Sequence, residues 1–256
     1  MLNLGMILIF AASLTVSPSP SPSPAPTHDP CGGARSNLLA VLDRPSIGFS
    51  PCAVKQHETV IEAGYSNAAS ATAATPTYPQ GFLRFGAAPQ LEVDLIAGGR
   101  FDSGFGAKYE FWHDASRAFG ADFLYTAPTG SASLTAGAPT QTINLDYSTP
   151  LAGNFSIAPT LGMQSSYAAD LSGRGGRFFS LLPSVVVSDQ WNPRAQAYIE
   201  AYGQTRTRPD GGAQFGLDVA LQYLLAPQLE FDVEAGQTAN DVTRSHYAGF
   251  GFGVRF

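Results

Sequence analysis

Charge is scarce in this chain: Asp, Glu, Lys and Arg make up 13% of its 256 residues, against roughly 25% in an ordinary soluble domain. A surface meeting water on every side is poorly served by so little charge. The net charge is -6, so there is no basic face to hold phosphates, and a nucleic-acid partner is excluded. No apolar run reaches the roughly 18 residues that a helical membrane span needs. Cysteine occurs 2 times and histidine 4 times, too thinly placed to complete a zinc shell. His28 and His57 have no metal-ligand spacing, and no phosphate-binding loop of the Gly-x-x-x-x-Gly-Lys type occurs, so neither a metal nor a cofactor is expected.

What is abundant is Gly, at 27, with 17 Phe and 10 Tyr. Membrane barrels use glycine where strands are crowded or bent and aromatics in belts at the two interfaces. The closing run Phe250-Gly-Phe-Gly-Val-Arg-Phe256 puts Phe250, Phe252, Val254 and Phe256 on one face of a strand. In a closed barrel such an edge pairs with the first strand and turns its apolar face to lipid. This ending reads as an insertion signal for the barrel-assembly machinery.

From Thr59 onward, apolar residues recur at alternate positions between turn signals, which predicts about twelve strands. The clearest are 91–97, 105–111, 143–147, 215–223 and 229–235. The others fall at 59–65, 82–86, 119–126, 155–163, 179–188, 197–204 and 245–256. Their connections alternate between short (87–90, 113–118, 149–154, 189–194, 225–228) and longer ones rich in Gly, Ser, Ala or Thr (67–80, 127–139, 165–177, 205–213). Short periplasmic turns with longer outer loops characterise bacterial outer-membrane barrels. The expected fold is an all-β transmembrane antiparallel barrel of outer-membrane type over residues 58–256.

Ahead of the barrel, the apolar run from Leu4 to Val16 suits a secretory signal, assigned to 1–16. A Ser-Pro-rich linker at 17–30 cannot form a helix or a central strand. A periplasmic N-terminal segment is expected at 31–57. Within it Cys31 and Cys52 are read as a disulfide, since an even count in an exported chain favours pairing; closing that loop is worth roughly 3 kcal/mol.

If apolar residues face lipid, the opposite face lines the lumen. On β-strand parity that face carries Glu62, Glu92, Asp94, Glu110, Asp122 and Asp146 in the first half of the barrel. Glu200, Asp218, Glu230, Asp232 and Glu234 follow in the second, against the bases Arg84, Lys108 and Arg255. Tyr198 and Tyr202 turn inward beside Glu200 and are candidates to touch an aromatic solute. Tyr65, Phe101, Tyr125, Tyr147, Trp191, Tyr223 and Tyr247 are expected in the interface belts.

An acidic lining attracts cations into a water-filled pore. Alternatively, Arg84, Lys108, Arg255, Asn144, Gln164 and Gln222 tie the acids into a mostly closed interior. A barrel of this size lies between filled and open ones. The expected function is a channel or passive transporter for small solutes, hydrophobic or aromatic compounds among them; the alternative is a closed structural or binding barrel whose loops contact a partner. Catalysis is not expected. Ser245 and His246 fall on opposite faces, His113 and Ser116 share a turn, and residues 130–133 lack the Gly-x-Ser-x-Gly elbow.

The order of local signatures resembles the family of bacterial outer-membrane proteins named for the MetA pathway of phenol degradation. The similar elements are Asp43-Arg-Pro45, Ser50-Pro51, Glu62-Ala-Gly-Tyr65, Phe82-Leu-Arg-Phe-Gly86 before Leu91-Glu92, and Gly106-x-Lys108. Pro128-Thr-Gly130, Ile199-Glu-Ala-Tyr-Gly203, the Gln-Leu-Glu-Phe-Asp run at 228–232 and the Gly-x-Gly-x-Arg-Phe ending complete the set. The resemblance implies a barrel in the bacterial outer membrane, with the lipid bilayer and small solutes as its partners.

Overall fold

The computed structural model describes residues 30–32, 35–44, 46–70, 74–98, 101–132 and 135–256, with backbone alone at 70 and 74–80. The expected signal at 1–16 and nearly all of the Ser-Pro-rich linker at 17–30 lie outside the described residues.

Twelve strands follow one another along the chain: β1 Thr59–Ser70, β2 Ala74–Ala88, β3 Leu91–Ala97, β4 Ser103–His113, β5 Ala118–Ala127 and β6 Thr140–Ala152. Then come β7 Phe155–Ala169, β8 Gly175–Asn192, β9 Ala195–Gln204, β10 Gln214–Ala226, β11 Leu229–Asn240 and β12 Arg244–Arg255. Each pairs antiparallel with its neighbours, and β1 joins β12 to close the barrel, Ile61 opposite Val254 and Tyr65 opposite Phe250. Closure leaves no unpaired edge, the condition for crossing a bilayer with strands. The sole helix among the described residues is one turn, α1 Leu38–Val41, ahead of the barrel.

The side-chain period of two sorts the residues. Along β3, Glu92, Asp94 and Ile96 are buried while Val93 and Leu95 face out, Leu95 with 58% of its surface exposed. The same inversion runs round the barrel, with Phe105, Ile143, Leu161, Ile199, Val219 and Phe250 all outside. In water this belt would far exceed the few hundred Å² of apolar patch that a soluble monomer shows. Against lipid it is the favourable arrangement. Aromatic pairs stack on this outer wall, Phe105 with Tyr125 at 5.2 Å and Phe111 with Phe119 at 5.1 Å between ring centroids.

Several strands run past their expected ends. β1 continues to Ser70 and β2 starts at Ala74, so most of the loop expected at 67–80 is strand. Beyond the hydrocarbon layer neither face needs to be apolar, and the Ser, Asn, Ala and Thr residues there carry no alternation. At the other end the turns are tighter than expected, as at 153–154, where Gly153 adopts φ 60°. Beside each of the five short turns the incoming strand carries a bulge, between Gly86 and Ala88 for example, or Glu110 and Trp112. A bulge bends the strand and shifts parity at the rim, which is why Phe111 and Trp112 are both exposed.

Tyr247 does not join the interface belt. Gly249, Gly251 and Gly253 share its face, and that face is the inner one; its hydroxyl donates to Asp218 Oδ2 at 2.7 Å.

At the long-loop end, Asp102 accepts N–H groups from Gly130 and Ala136, each at 3.0 Å, pinning the β5–β6 loop to the β3–β4 loop. Partial burial works against its charge, but bonds from the Thr135 hydroxyl and those two amides outweigh it and hold the carboxyl below its ordinary value. A lowered value means that this hold is complete above the ordinary carboxylate range and is lost as pH falls through the lowered one. Asp102→Asn is expected to speed limited proteolysis within 128–139; an unchanged cleavage rate would show that the clamp is idle.

Leu95→Arg tests the outer face. It is expected to destabilise the barrel by about 2–4 kcal/mol in urea unfolding from lipid vesicles, the cost of a lipid-facing arginine at mid-depth. A loss below about 1 kcal/mol would place residue 95 away from the midplane.

Candidate functional site

The lumen contains a plug formed by the chain itself. Described residues of the segment 31–57, expected as a periplasmic N-terminal segment, lie against the inner wall of the barrel. The physical reason is a matching of donors to acceptors. A lumen walled with carboxylates needs donors, and an irregular segment has backbone N–H groups that no ladder satisfies.

Glu62 Oε2 accepts the Arg44 N–H at 3.0 Å. Glu200 takes the N–H groups of Ile47 and Gly48, each at 2.7 Å, one on each carboxylate oxygen. Glu92 accepts from Val54 at 2.6 Å and Glu110 from Ala53 at 3.1 Å. Wall donors meet plug carbonyls in return: Arg84 Nη1 donates to Val41 O at 2.6 Å, Gln196 to Leu39 O at 2.9 Å and Gln222 to Arg44 O at 3.1 Å. Arg255, at the short-turn rim, donates to Ser36 O and to Pro227 O.

Asp43 is the knot of this arrangement. Its carboxylate accepts from the Lys108 ammonium at 2.6 Å and from the Ser50 N–H at 2.9 Å, and lies 3.4 Å from Arg84. Asp43 and Ser50 are thereby tied to each other and fixed to the wall. Arg84 is fully buried and binds Glu92 through Nε at 2.7 Å and Nη2 at 3.1 Å, with Glu62 on Nη1. The planar guanidinium suits this many-sided role, which an ammonium could not fill. Lys108 also stands 5.7 Å above the Phe49 ring.

Inward glycines make room for the plug. A Cβ on Gly120 would stand 2.6 Å from Pro51 O, and one on Gly253 the same distance from a Leu42 methyl. Beneath the loop, Cys31 and Cys52 are joined at 2.02 Å and pack with Leu38, Val41, Leu42, Val54 and Val60. Cys31 also shares a 4.8 Å cluster with Glu110 and His113. Its sulfur is committed to the disulfide, so that group offers a metal only two ligands.

All the acids expected inside lie on the inner face, and Glu62, Glu92, Glu200, Glu230 and Asp232 are fully buried. They divide into two sectors. Between β1 and β6, Glu62, Glu92, Asp94, Glu110, Asp122 and Asp146 surround Arg84 and Lys108; Asp122 also accepts from Asn144 at 2.9 Å and Asp146 from Thr160 at 2.8 Å. Between β9 and β11 lie Glu200, Asp218, Glu230, Asp232 and Glu234; among the described residues the base paired with them is Arg44 of the plug, 3.4 Å from Asp232 and 3.9 Å from Glu234. Tyr198 and Tyr202 are both buried beside Glu200, and the Tyr202 and Tyr247 hydroxyls meet at 3.0 Å. The Tyr247 ring covers Gly236 on the adjoining strand, so close that a Cβ there would be 2.5 Å from the ring.

Among the described residues, two cavities flank the plug. One of about 680 Å³ opens among the strand ends nearer the long loops; the other, about 730 Å³, opens beside the short turns. Arg44, Ser46, Gly48 and Phe49 line both. The partition between them is the plug loop.

The plug's place inside the barrel is the feature that strand periodicity misses. Its signals are the Asp43-Arg-Pro and Ser50-Pro51 motifs and the glycines that share inner faces with acids. Neither reads as a strand, and both make sense only once a second backbone lies against the wall. Arg84→Ala leaves Glu62 and Glu92 buried without their partner and is expected to cost about 3–5 kcal/mol. Urea unfolding in vesicles checks this; Arg84→Lys recovering wild-type stability would contradict the bidentate role.

The barrel is similar to the COG4313 outer membrane channel from Pseudomonas putida F1, with a TM-score of 0.62 and 12% identity over 84% of this chain and 100% of that one. It is also similar to the NanC porin, with a TM-score of 0.49 and 11% identity over 75% of this chain and 98% of that one. None of the curated proteins matches the chain. The barrel is thus of the bacterial outer-membrane type. The family model described as "Putative MetA-pathway of phenol degradation" matches residues 42–256, from within the plug to the last residue, and the chain belongs to that family.

Proposed function

We propose that this protein is a passive outer-membrane conduit for small solutes, apolar or aromatic compounds among them, in which the plug residues Arg44, Ser46, Gly48 and Phe49 are the barrier. The observation that carries this reading is the pair of cavities on either side of one loop. A solute entering from the long-loop side meets Phe49, Phe82, Leu124, Leu182 and Tyr202 among polar groups. That mixture of apolar surface with a few oriented polar groups suits small organic molecules. Displacement of a single loop would join the two spaces.

No energy-coupling motif accompanies the barrel, so movement is down a gradient. No catalytic role is assigned to any residue. The run at 1–16 is proposed as the export signal, and the outward face of Phe250, Phe252, Val254 and Phe256 as the mark read by the barrel-assembly machinery.

One observation favours the second reading, a closed structural or binding barrel: much of the acidic wall is already engaged by the plug. Single-channel current through the refolded full chain in planar bilayers under a KCl gradient separates the two. Small, cation-preferring conductance is expected, with a larger open fraction in Glu200→Ala, which releases the amides of Ile47 and Gly48. Silence of both proteins, with heat-modifiable migration showing folded barrels, would overturn the conduit and leave the closed barrel standing.

A further inference from the structure

The two sectors of the inner wall hold the plug unequally. Around Arg84 each strong base is matched by several close acceptors. On the β9–β11 wall the match is poor. Arg44 reaches Asp232 and Glu234 at 3.4 and 3.9 Å through one nitrogen, and its Nε is buried without a hydrogen-bond partner. Asp218 Oδ1, Asp232 Oδ2, both Glu230 oxygens and the Tyr198 hydroxyl are likewise buried and unpartnered; the other sector also leaves Asp94 Oδ1, Asp122 Oδ2 and Asp146 Oδ2 so, but no nitrogen of Arg84 or Lys108. Unmade bonds of this kind are costly when buried, and they favour any group that completes them.

Their placement follows the path of a solute. On the inner face of β9, Tyr202 lines the cavity nearer the long loops and Tyr198 the one nearer the short turns. Glu200 lies between them and holds the plug amides. Tyr198 is only 5% exposed. Aromatic faces alternating with carboxylates, over a distance that spans the partition, make a surface for a cation with an apolar body.

A metal ion does not fit the same surface. Among the described residues the one group with three potential ligand atoms within 4.8 Å of one another is that of Cys31, Glu110 and His113, elsewhere in the barrel. The acids of β9–β11 are too far apart to converge on one small ion, and a larger cation can bridge them.

We infer that the β9–β11 wall binds small organic cations, ammonium or guanidinium groups on an aromatic or aliphatic body, and that the plug's Arg44 occupies this site as a resident substitute. This rests on the conduit reading for its transport aspect. A solute cation entering from the long-loop cavity exchanges with the Arg44 side chain at Asp232 and Glu234, and with that side chain displaced the plug is held on this side by Glu200, through Ile47 and Gly48, and by Gln222 at the Arg44 carbonyl. Binding of the cationic solute and loosening of the barrier are then one event.

The test uses three solutes of one size, phenethylammonium, 2-phenylethanol and phenylacetate, with the refolded full chain. Uptake into proteoliposomes reports passage, and calorimetry on the detergent-solubilised protein reports binding. Phenethylammonium is expected to bind saturably and to pass roughly tenfold faster than phenylacetate, the scale on which a charged cleft enriches its counter-ion. Asp232→Asn with Glu234→Gln should bring the two rates close to parity, and Arg44→Gln should raise phenethylammonium uptake. Equal passage of the three solutes through the wild type would overturn the cation site while leaving the conduit intact. Saturable phenethylammonium binding with no uptake of any solute would keep the site and overturn the conduit, and absence of both binding and uptake would overturn both. Should the double variant fail to fold, the wild-type preference and the Arg44→Gln response decide the matter.

Discussion

A buried carboxylate needs a donor, and much of this structure follows from how that need is met. The wall strands turn their apolar side chains to lipid, so their acids must point inward, where twelve strands enclose too little space for each to keep a full hydration shell. The plug resolves the conflict with backbone amides, donors that cost no extra side chain and would themselves be orphaned outside a ladder. Wall and plug therefore satisfy each other. Removing either leaves the other with unpaired polar groups, so the lumen is best regarded as one hydrogen-bonded body rather than a pipe with a stopper.

This mutual dependence is uneven around the barrel. The side built on β1 to β4 ties Asp43, Val41, Ala53 and Val54 to wall groups through short bonds, with the disulfide and its apolar cluster directly beneath. The side built on β9 to β11 relies on Glu200, on single bonds from Gln196 and Gln222 to plug carbonyls, and on the distant reach of Arg44. A loop anchored firmly along one side and lightly along the other has a hinge and a free edge. Motion, where it occurs, begins at the free edge, because local opening follows the weakest set of contacts.

The membrane-crossing part of each strand is legible in the sequence because lipid on one face and lumen on the other impose alternation that nothing else would preserve. Glu92, Asp94 and Ile96 against Val93 and Leu95 show the signal at full strength. Where both faces meet similar surroundings it vanishes, as in residues 66–70, which are strand without looking like one. Tyr247 eludes the same reasoning, since aromatics occur both in belts and over inward glycines such as Gly236. The plug is the least legible element. Its contacts join residues far apart in sequence, Ile47 to Glu200 and Arg44 to Asp232, and no local period encodes a pairing of that kind.

The disulfide also bears on how durable the plug is. Cys31 is wholly shielded and Cys52 almost so, packed beneath the loop and against the first strand. Thiol–disulfide exchange requires an approaching sulfur to reach its partner along the bond axis. Cys31 offers an incoming thiol no surface and Cys52 only the wall of the cavity beside the short turns, so exchange is disfavoured while the plug is seated. The packing that fixes the loop therefore also guards the bond that ties it: a reductant acts readily only once the segment has left its apolar cluster.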